Sequence, residues 1–247
     1  MIIRQIIRSL LHIISICHFI LPPKFSFVEH LKYFKEISGA DFSIIDGHEE
    51  ARLTLLAVKY ALKREKINSD KFILLDIGGG STEIIVNTND NYEAHSFDFG
   101  IVTMTQKYLV QHDLHNDLNN RKKEIKKFLD SLNIDDLSQY SFVATAGTPT
   151  TIAAIKLGQD FFSYDRDIVN GTIVNLEDIE NSLDIFKNSS AEEIAKLVGR
   201  GRVEFIEVGI FIYKMIFEVL GKNESIVLDD GLREGVAINY CETKCKD

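Results

Sequence analysis

Residues 72–86 read FILLDIGGGSTEIIV, and no other stretch of the chain restricts the fold as strongly. An apolar run over residues 72–75 ends in Asp76. Gly78, Gly79 and Gly80 follow, then Ser81, Thr82 and Glu83, and a second apolar run over residues 84–86. Two runs rich in β-branched residues, separated by glycines, spell strand, tight turn, strand. Glycines let the backbone approach a ligand and turn successive N–H groups toward it, which suits phosphate oxygens. Asp76 and Glu83 flank the turn, and hard carboxylate oxygens of this kind suit Mg²⁺. The stretch reads as a phosphate-and-magnesium loop at the end of a buried strand. An ordinary glycine-rich hairpin with solvated acids is the plainer alternative. It is not a P-loop, because no Gly-Lys-Ser/Thr follows, and it is not the G-x-G-x-x-G of dinucleotide binders.

The chain has 247 residues, 45% hydrophobic and 26% charged. That is an ordinary globular composition with room for one large domain or two small ones. A formal net charge of −9 argues against non-specific binding to nucleic acid or to an anionic membrane. Any polyanionic substrate must then be held by local cations and backbone dipoles. Cys17, Cys241 and Cys245 are few and odd in number, which points to a reducing cytoplasm rather than a disulfide scaffold. Cys241 and Cys245 have no histidine nearby and read as bystanders, not metal ligands. In residues 1–24, Arg4 and Arg8 precede an apolar run over residues 10–21 that ends at Pro22-Pro23, in the manner of a signal sequence. The run is short for a membrane span and no small-residue cleavage site follows it. A packed helix or an out-of-family start are the plainer readings.

Along the rest of the chain, residues 28–37 have a helical pattern that Ser38-Gly39 stops, and residues 42–45 read as a short strand. Gly47-His-Glu-Glu-Ala51 opens a helix to about Lys66, with Leu53, Leu56, Ala57, Tyr60 and Ala61 on one face. After the glycine turn come a strand near residues 94–97 and, beyond Gly100, a helix over residues 102–111. The basic run Arg121, Lys122, Lys123, Lys126 and Lys127 has helical spacing and reads as a solvated face rather than a polyanion groove. A strand over residues 142–145 runs into Ala146-Gly147-Thr148-Pro149. Pro149 suits the first turn of a helix, whose N-terminus is a natural anion site. Residues 172–198 read as helical. Residues 205–220 are apolar on nearly all sides, the mark of a buried helix, and Gly221 stops it. A last strand over residues 226–228 leads through Asp229-Asp230-Gly231 into a helix start at Leu232. Strands alternating with helices give an α/β class with a partly parallel sheet.

Several motifs now stand in order: GHEEARL at 47–53, LLDIGGGSTEIIV at 74–86, ATAGTPTTIAA at 144–154, YDRDIVNGTIVNLEDI at 164–179, RVEFIEVGI at 202–210 and DDGLREGV at 229–236. Together they resemble the exopolyphosphatase and guanosine-pentaphosphate phosphohydrolase family over roughly residues 25–240. The resemblance implies the fold of actin-like ATPases, sugar kinases and Hsp70 (ribonuclease H-like), in which two related α/β domains enclose a phosphate-binding cleft. On that basis residues 1–68 are expected to be a remnant of the first domain plus a connecting helix, with residues 1–24 outside the family pattern. Residues 69–247 are expected to be a complete second domain. The resemblance makes Glu50, with Glu49 beside it, the catalytic glutamate that activates water. It assigns Asp76 and Glu83 to Mg²⁺, Gly78, Gly79, Gly80 and Ser81 to one phosphate loop, and Gly147 and Thr148 to another. The implied substrates are polyphosphate or guanosine pentaphosphate, with no nucleic-acid or membrane partner. A homodimer is left open.

Two family segments are missing: the Asp-x-Gly-Ser-Asn-Ser first phosphate loop and the Ala-Thr-Ser-Ala-x-Arg segment that supplies a phosphate-binding arginine. His48 stands where many members carry an acid or amide, and the long C-terminal helical extension of larger members is absent. An N-terminally truncated chain of this kind is expected to be a poor or silent phosphohydrolase, because the transferring phosphoryl group needs donors on both sides. Two other readings follow from the same residues. One is a non-catalytic relic that binds phosphate or alarmone. The other is an ATPase or kinase on the same fold.

Overall fold

A computed structural model describes residues 33, 35–39, 45–68, 70–89, 91–111, 113–132, 134 and 136–244. Its centre is a six-stranded sheet in the order β3-β2-β1-β4-β6-β5. The strands are β1 (Lys71–Ile77), β2 (Thr82–Thr88), β3 (Asn91–Phe97), β4 (Ser141–Thr145), β5 (Thr172–Asn175) and β6 (Glu224–Val227). The first three form an antiparallel meander, while β1, β4 and β6 run parallel, and β5 closes the far edge antiparallel to β6.

Side chains alternate across the sheet, so each apolar run must be covered on both faces. Phe72, Leu74, Ile85 and Val143 point to one face and pack on Val58, Ala61 and Leu62 of α1 (Gly47–Arg64). Ile73, Leu75, Ile84 and Phe142 point to the other, against Tyr213 and Phe217 of a long helix, Ile206–Leu220. This alternation decides where the acids go. Asp76 shares the parity of Phe72 and Leu74 and so faces α1, and Glu83 shares that of Ile85.

The remaining helices follow local signals. The side chain of Asp46 caps α1 by accepting from the Glu49 N–H at 2.8 Å, and acids in its first turn and bases in its last suit the dipole. Next come α2 (Ile101–Gln111), α3 (Leu114–Ser131), α4 (Gly147–Lys156) and α5 (Arg166–Val169). Then follow α6 (Leu176–Asn188), α7 (Ala191–Val198), α8 (Ile206–Leu220) and α9 (Leu232–Lys244). Gly221 ends α8 in the left-handed region. On the basic run of α3, Arg121 pairs with Glu124 and Lys122 with Glu218, as a solvated face does.

The expected helix over residues 172–198 is corrected. Thr172, Ile173 and Val174 open it as strand β5, and two capping boxes, Asn175 with Asp178 and Ser190 with Glu193, divide the rest into α6 and α7. The strand expected over residues 42–45 and the reading of residues 1–24 fall on positions outside the described residues, apart from Ile45, which is in no strand. Among the described residues no helix is long and apolar enough to cross a membrane.

Candidate active site

Because β1 and β4 are parallel and in register from Phe72 with Ser141 to Asp76 with Thr145, the turns that follow them open at one sheet edge. Ligands of open α/β sheets bind outside such carboxyl ends. A cleft of about 620 Å³ lies there, lined by Glu50, Asp76, Gly147, Arg202, Asp229 and Glu234 among others.

One part of the cleft is acidic. Asp76 and Glu83 face each other across the β1–β2 ladder. The Thr54 hydroxyl reaches Asp76 at 3.5 Å, and the Ser96 hydroxyl donates to Glu83 at 2.7 Å. No basic side chain among the described residues pairs with either acid. Burial, and then the charges of Glu83 and Glu50, push the Asp76 carboxyl up to about 8. Burial likewise raises Glu83, against the pull of hydrogen bonds from Ser96 and Ser81. Desolvated carboxylates without a cation fit a hard divalent ion. No group of three or more His, Cys, Asp or Glu stands close enough for an all-protein cage among the described residues. Mg²⁺ is the ion that needs least, since it leans on one or two carboxylates and keeps its waters.

Glu50 and Glu49 part company. Glu50 lines the cleft with Asp76. Glu49 lies on the helix surface and accepts both arms of Arg52, at 2.7 and 2.8 Å, which hold its carboxyl below the usual range.

The other part of the cleft presents hydrogen-bond donors. At the β4–α4 junction Ala146 has φ 69° and ψ −175°, a region almost reserved for glycine, and no side chain caps α4. The first N–H groups of α4 are therefore uncapped donors at a positive dipole end. Beside them lies Arg202. Its Nη1 donates to Thr151 at 2.9 Å, while Nη2 is buried without a partner. A Cβ on Gly147 would sit 2.6 Å from that Nη2, so only glycine lets the guanidinium lie against the loop. Burial lowers the arginine's pKa, and Tyr164 and Asp229 partly offset this. Thr148 sits at the helix start, but its hydroxyl is buried against Gly209 rather than in the cleft.

The 78–81 turn lies at the same edge but does not line this cleft. Gly78 donates to the Ser81 carbonyl, and the carbonyls of Gly78 and Gly79 accept from Ile101, Val102 and Thr103, capping α2. A Cβ on Gly100 would come within 2.6 Å of Gly79, so this docking also needs a glycine.

Arg202 and Asp229 are site residues that carry no role in the family resemblance. Arg202 begins the RVEFIEVGI motif and Asp229 begins DDGLREGV, and those positions were the available signal. Asp229 is held by its N–H to Asn170 at 2.7 Å, and burial raises its carboxyl. Asp230 is instead clamped by Arg64 at 2.8 Å and Arg166 at 3.1 Å, tying α1 and α5 to the start of α9.

A mixed sheet with this order, covered by helices on both faces and open at the β1–β4 edge, defines a domain of the actin-like ATPase class. The sequence matches the Ppx/GppA phosphatase family over residues 28–244, and the chain belongs to that family. It is 28% identical over 206 residues to a bifunctional 3-dehydroquinate synthase/phosphatase of Fusobacterium nucleatum, covering 81% of this chain and 30% of that one. It is 25% identical over 214 residues to a guanosine-5'-triphosphate,3'-diphosphate pyrophosphatase of Aliivibrio fischeri, covering 83% and 40%. It is 24% identical over 217 residues to exopolyphosphatase 2 of Mycobacterium tuberculosis, covering 82% and 65%. The chain thus spans less than two thirds of the length of these relatives. The crystal structure of an Aquifex aeolicus Ppx/GppA family member superposes with a TM-score of 0.69 at 28% identity, over 89% of this chain and 71% of that one.

Proposed function

We propose that this chain is a Mg²⁺-dependent phosphoanhydride hydrolase that removes terminal phosphate from inorganic polyphosphate or guanosine pentaphosphate. One observation carries the reading. A single cleft exposes Asp76, with Glu83 directly behind it across the β1–β2 ladder and no basic side chain among the described residues paired to either, and an uncapped helix start with the unpaired Nη2 of Arg202. A magnesium–phosphate pair satisfies both.

In this scheme the N–H groups of Gly147 and Thr148 and the Arg202 guanidinium hold the terminal phosphoryl oxygens. Asp76 and Glu83 would hold Mg²⁺, which would supply charge neutralisation on the transferring group. Glu50 takes a proton from the attacking water, the new P–O bond forms, and the anhydride bond to the shortened chain breaks. The 78–81 turn stands beside this site, between Asp76 and Glu83, and is assigned to an oxygen of the same phosphoryl group. Glu49 keeps Arg52 and serves the helix.

Orthophosphate release from tripolyphosphate and guanosine pentaphosphate tests the reading. Slow release that EDTA abolishes is expected. Release that EDTA leaves untouched contradicts it.

A further inference from the structure

We propose that Phe161 and Phe162 form a nucleobase platform at the rim of the cleft, so that a purine nucleoside polyphosphate is preferred over bare polyphosphate. This rests on the phosphate-site reading above and adds a second contact to it.

The two rings are 56% and 81% exposed and stand edge to face with centroids 5.5 Å apart. Together they form one contiguous exposed apolar patch, the kind of surface that marks a ligand-binding rim. They are also held in place. The Asp160 carboxylate accepts from the N–H of Phe162 at 3.0 Å, the N–H of Ser163 at 2.8 Å and the Ser163 hydroxyl at 2.7 Å. The Phe161 N–H donates to the Lys196 carbonyl at 3.0 Å. Gly199, at φ 82°, gives Phe161 its seat, since a Cβ there would lie 2.9 Å from the ring. The aromatic pair is therefore preorganised rather than a loose loop tip.

Its position joins it to the anion wall. Phe161 lines the same cleft as Gly147 and Arg202. The turn from Gly199 to Arg202 is a single 3₁₀ step, closed by the Arg202 N–H on the Gly199 carbonyl at 3.2 Å. That step rises about 2 Å per residue, so the ring seat and the arginine backbone are roughly 6 Å apart. From a terminal phosphate on the Arg202 guanidinium, the remaining phosphates and the ribose of a nucleoside polyphosphate would run back along the wall that Phe161 shares with Arg202 and carry the base to the rings. Phenylalanine offers a face and no hydrogen-bond edge, so stacking here does not distinguish guanine from adenine.

Calorimetric binding of tripolyphosphate, GTP and ATP to the full chain with Mg²⁺ tests the platform. GTP and ATP are expected to bind comparably, each roughly tenfold tighter than tripolyphosphate, the effect of one stacked base. Phe162→Ala is expected to cut both nucleotide affinities several-fold and leave tripolyphosphate within twofold. Phe161→Leu, which keeps an apolar filler against Gly199, is expected to reduce the nucleotide preference further. Equal affinity of tripolyphosphate and nucleotides in the wild type, or equal losses for all ligands in Phe162→Ala, overturns the platform alone. Absence of binding by all three overturns the phosphate-site reading and the platform with it.

Discussion

Asp76 and Glu83 are direct partners across the β1–β2 ladder, two carboxylates facing α1 that no basic side chain among the described residues pairs with. Folding brings them together against their own repulsion, and both are raised by burial, Asp76 up to about 8. A carboxyl raised on folding binds its proton more tightly in the native state. Its contribution to stability is therefore fully present below the unfolded value near pH 4 and is lost as pH rises to about 8.

The pH dependence follows. The melting temperature of the metal-free wild type, measured against Asp76→Asn, is expected to fall between about pH 4 and pH 8. Mg²⁺ is expected to restore it at pH 8 and to do little at pH 5. A difference between the two proteins that is flat with pH and indifferent to Mg²⁺ would show that the pair is neither strained nor a metal site.

Arg202 is expected to show a trade between stability and binding. A buried guanidinium with an orphaned N–H costs about 1–3 kcal/mol. Arg202→Met is expected to raise the melting temperature without ligand by a few degrees and to remove the stabilisation that tripolyphosphate confers on the wild type. Unchanged tripolyphosphate affinity in this variant would take Arg202 out of the anion wall.

How much of this was legible in the sequence depends on the range of the signal. The apolar runs around the glycines gave β1 and β2, and a short turn between them forces the register that sets Asp76 opposite Glu83. The 144–154 motif gave β4, the loop and α4, because strand, glycine and Pro149 are neighbours in the chain. Glu49 and Glu50 were inseparable as adjacent acids. Helical geometry turns consecutive side chains about 100° apart, and only packing shows which one meets Asp76. Arg202 was hidden because a guanidinium becomes an anion site through burial against a loop 55 residues earlier, as shown by its approach to Gly147. Strand β5 was hidden because its four residues run straight into the cap of α6.

The strained junction gives a third expectation. Ala146 occupies a backbone region that costs roughly 1–3 kcal/mol for a residue with a Cβ. Ala146→Gly is expected to stabilise the chain by about 1 kcal/mol once glycine's greater unfolded-state entropy is subtracted. Denaturant titration reads this, and a loss of stability would mean that the conformation is not strained.

The crossing of α1 and α9 gives a fourth. A Cβ at Gly235 would lie 1.9 Å from the Leu53 carbonyl oxygen, which is backbone and cannot swing aside. Gly235→Ala is expected to destabilise by about 3 kcal/mol, the upper end for overpacking, and to shift Glu50 relative to Asp76. A variant of wild-type stability would show that the helices separate at little cost.

The most direct test of a glutamate-driven phosphohydrolase in this cleft is orthophosphate release at saturating Mg²⁺ by Glu50→Gln beside the wild type, with tripolyphosphate affinity measured on the same samples. An amide keeps the shape of the side chain but cannot accept the proton. Release is expected to fall by about 10²–10⁴-fold while affinity stays within a few-fold. A fall of only about twofold, or a loss of affinity that matches the loss of rate, would contradict the role of Glu50 and with it the proposed chemistry.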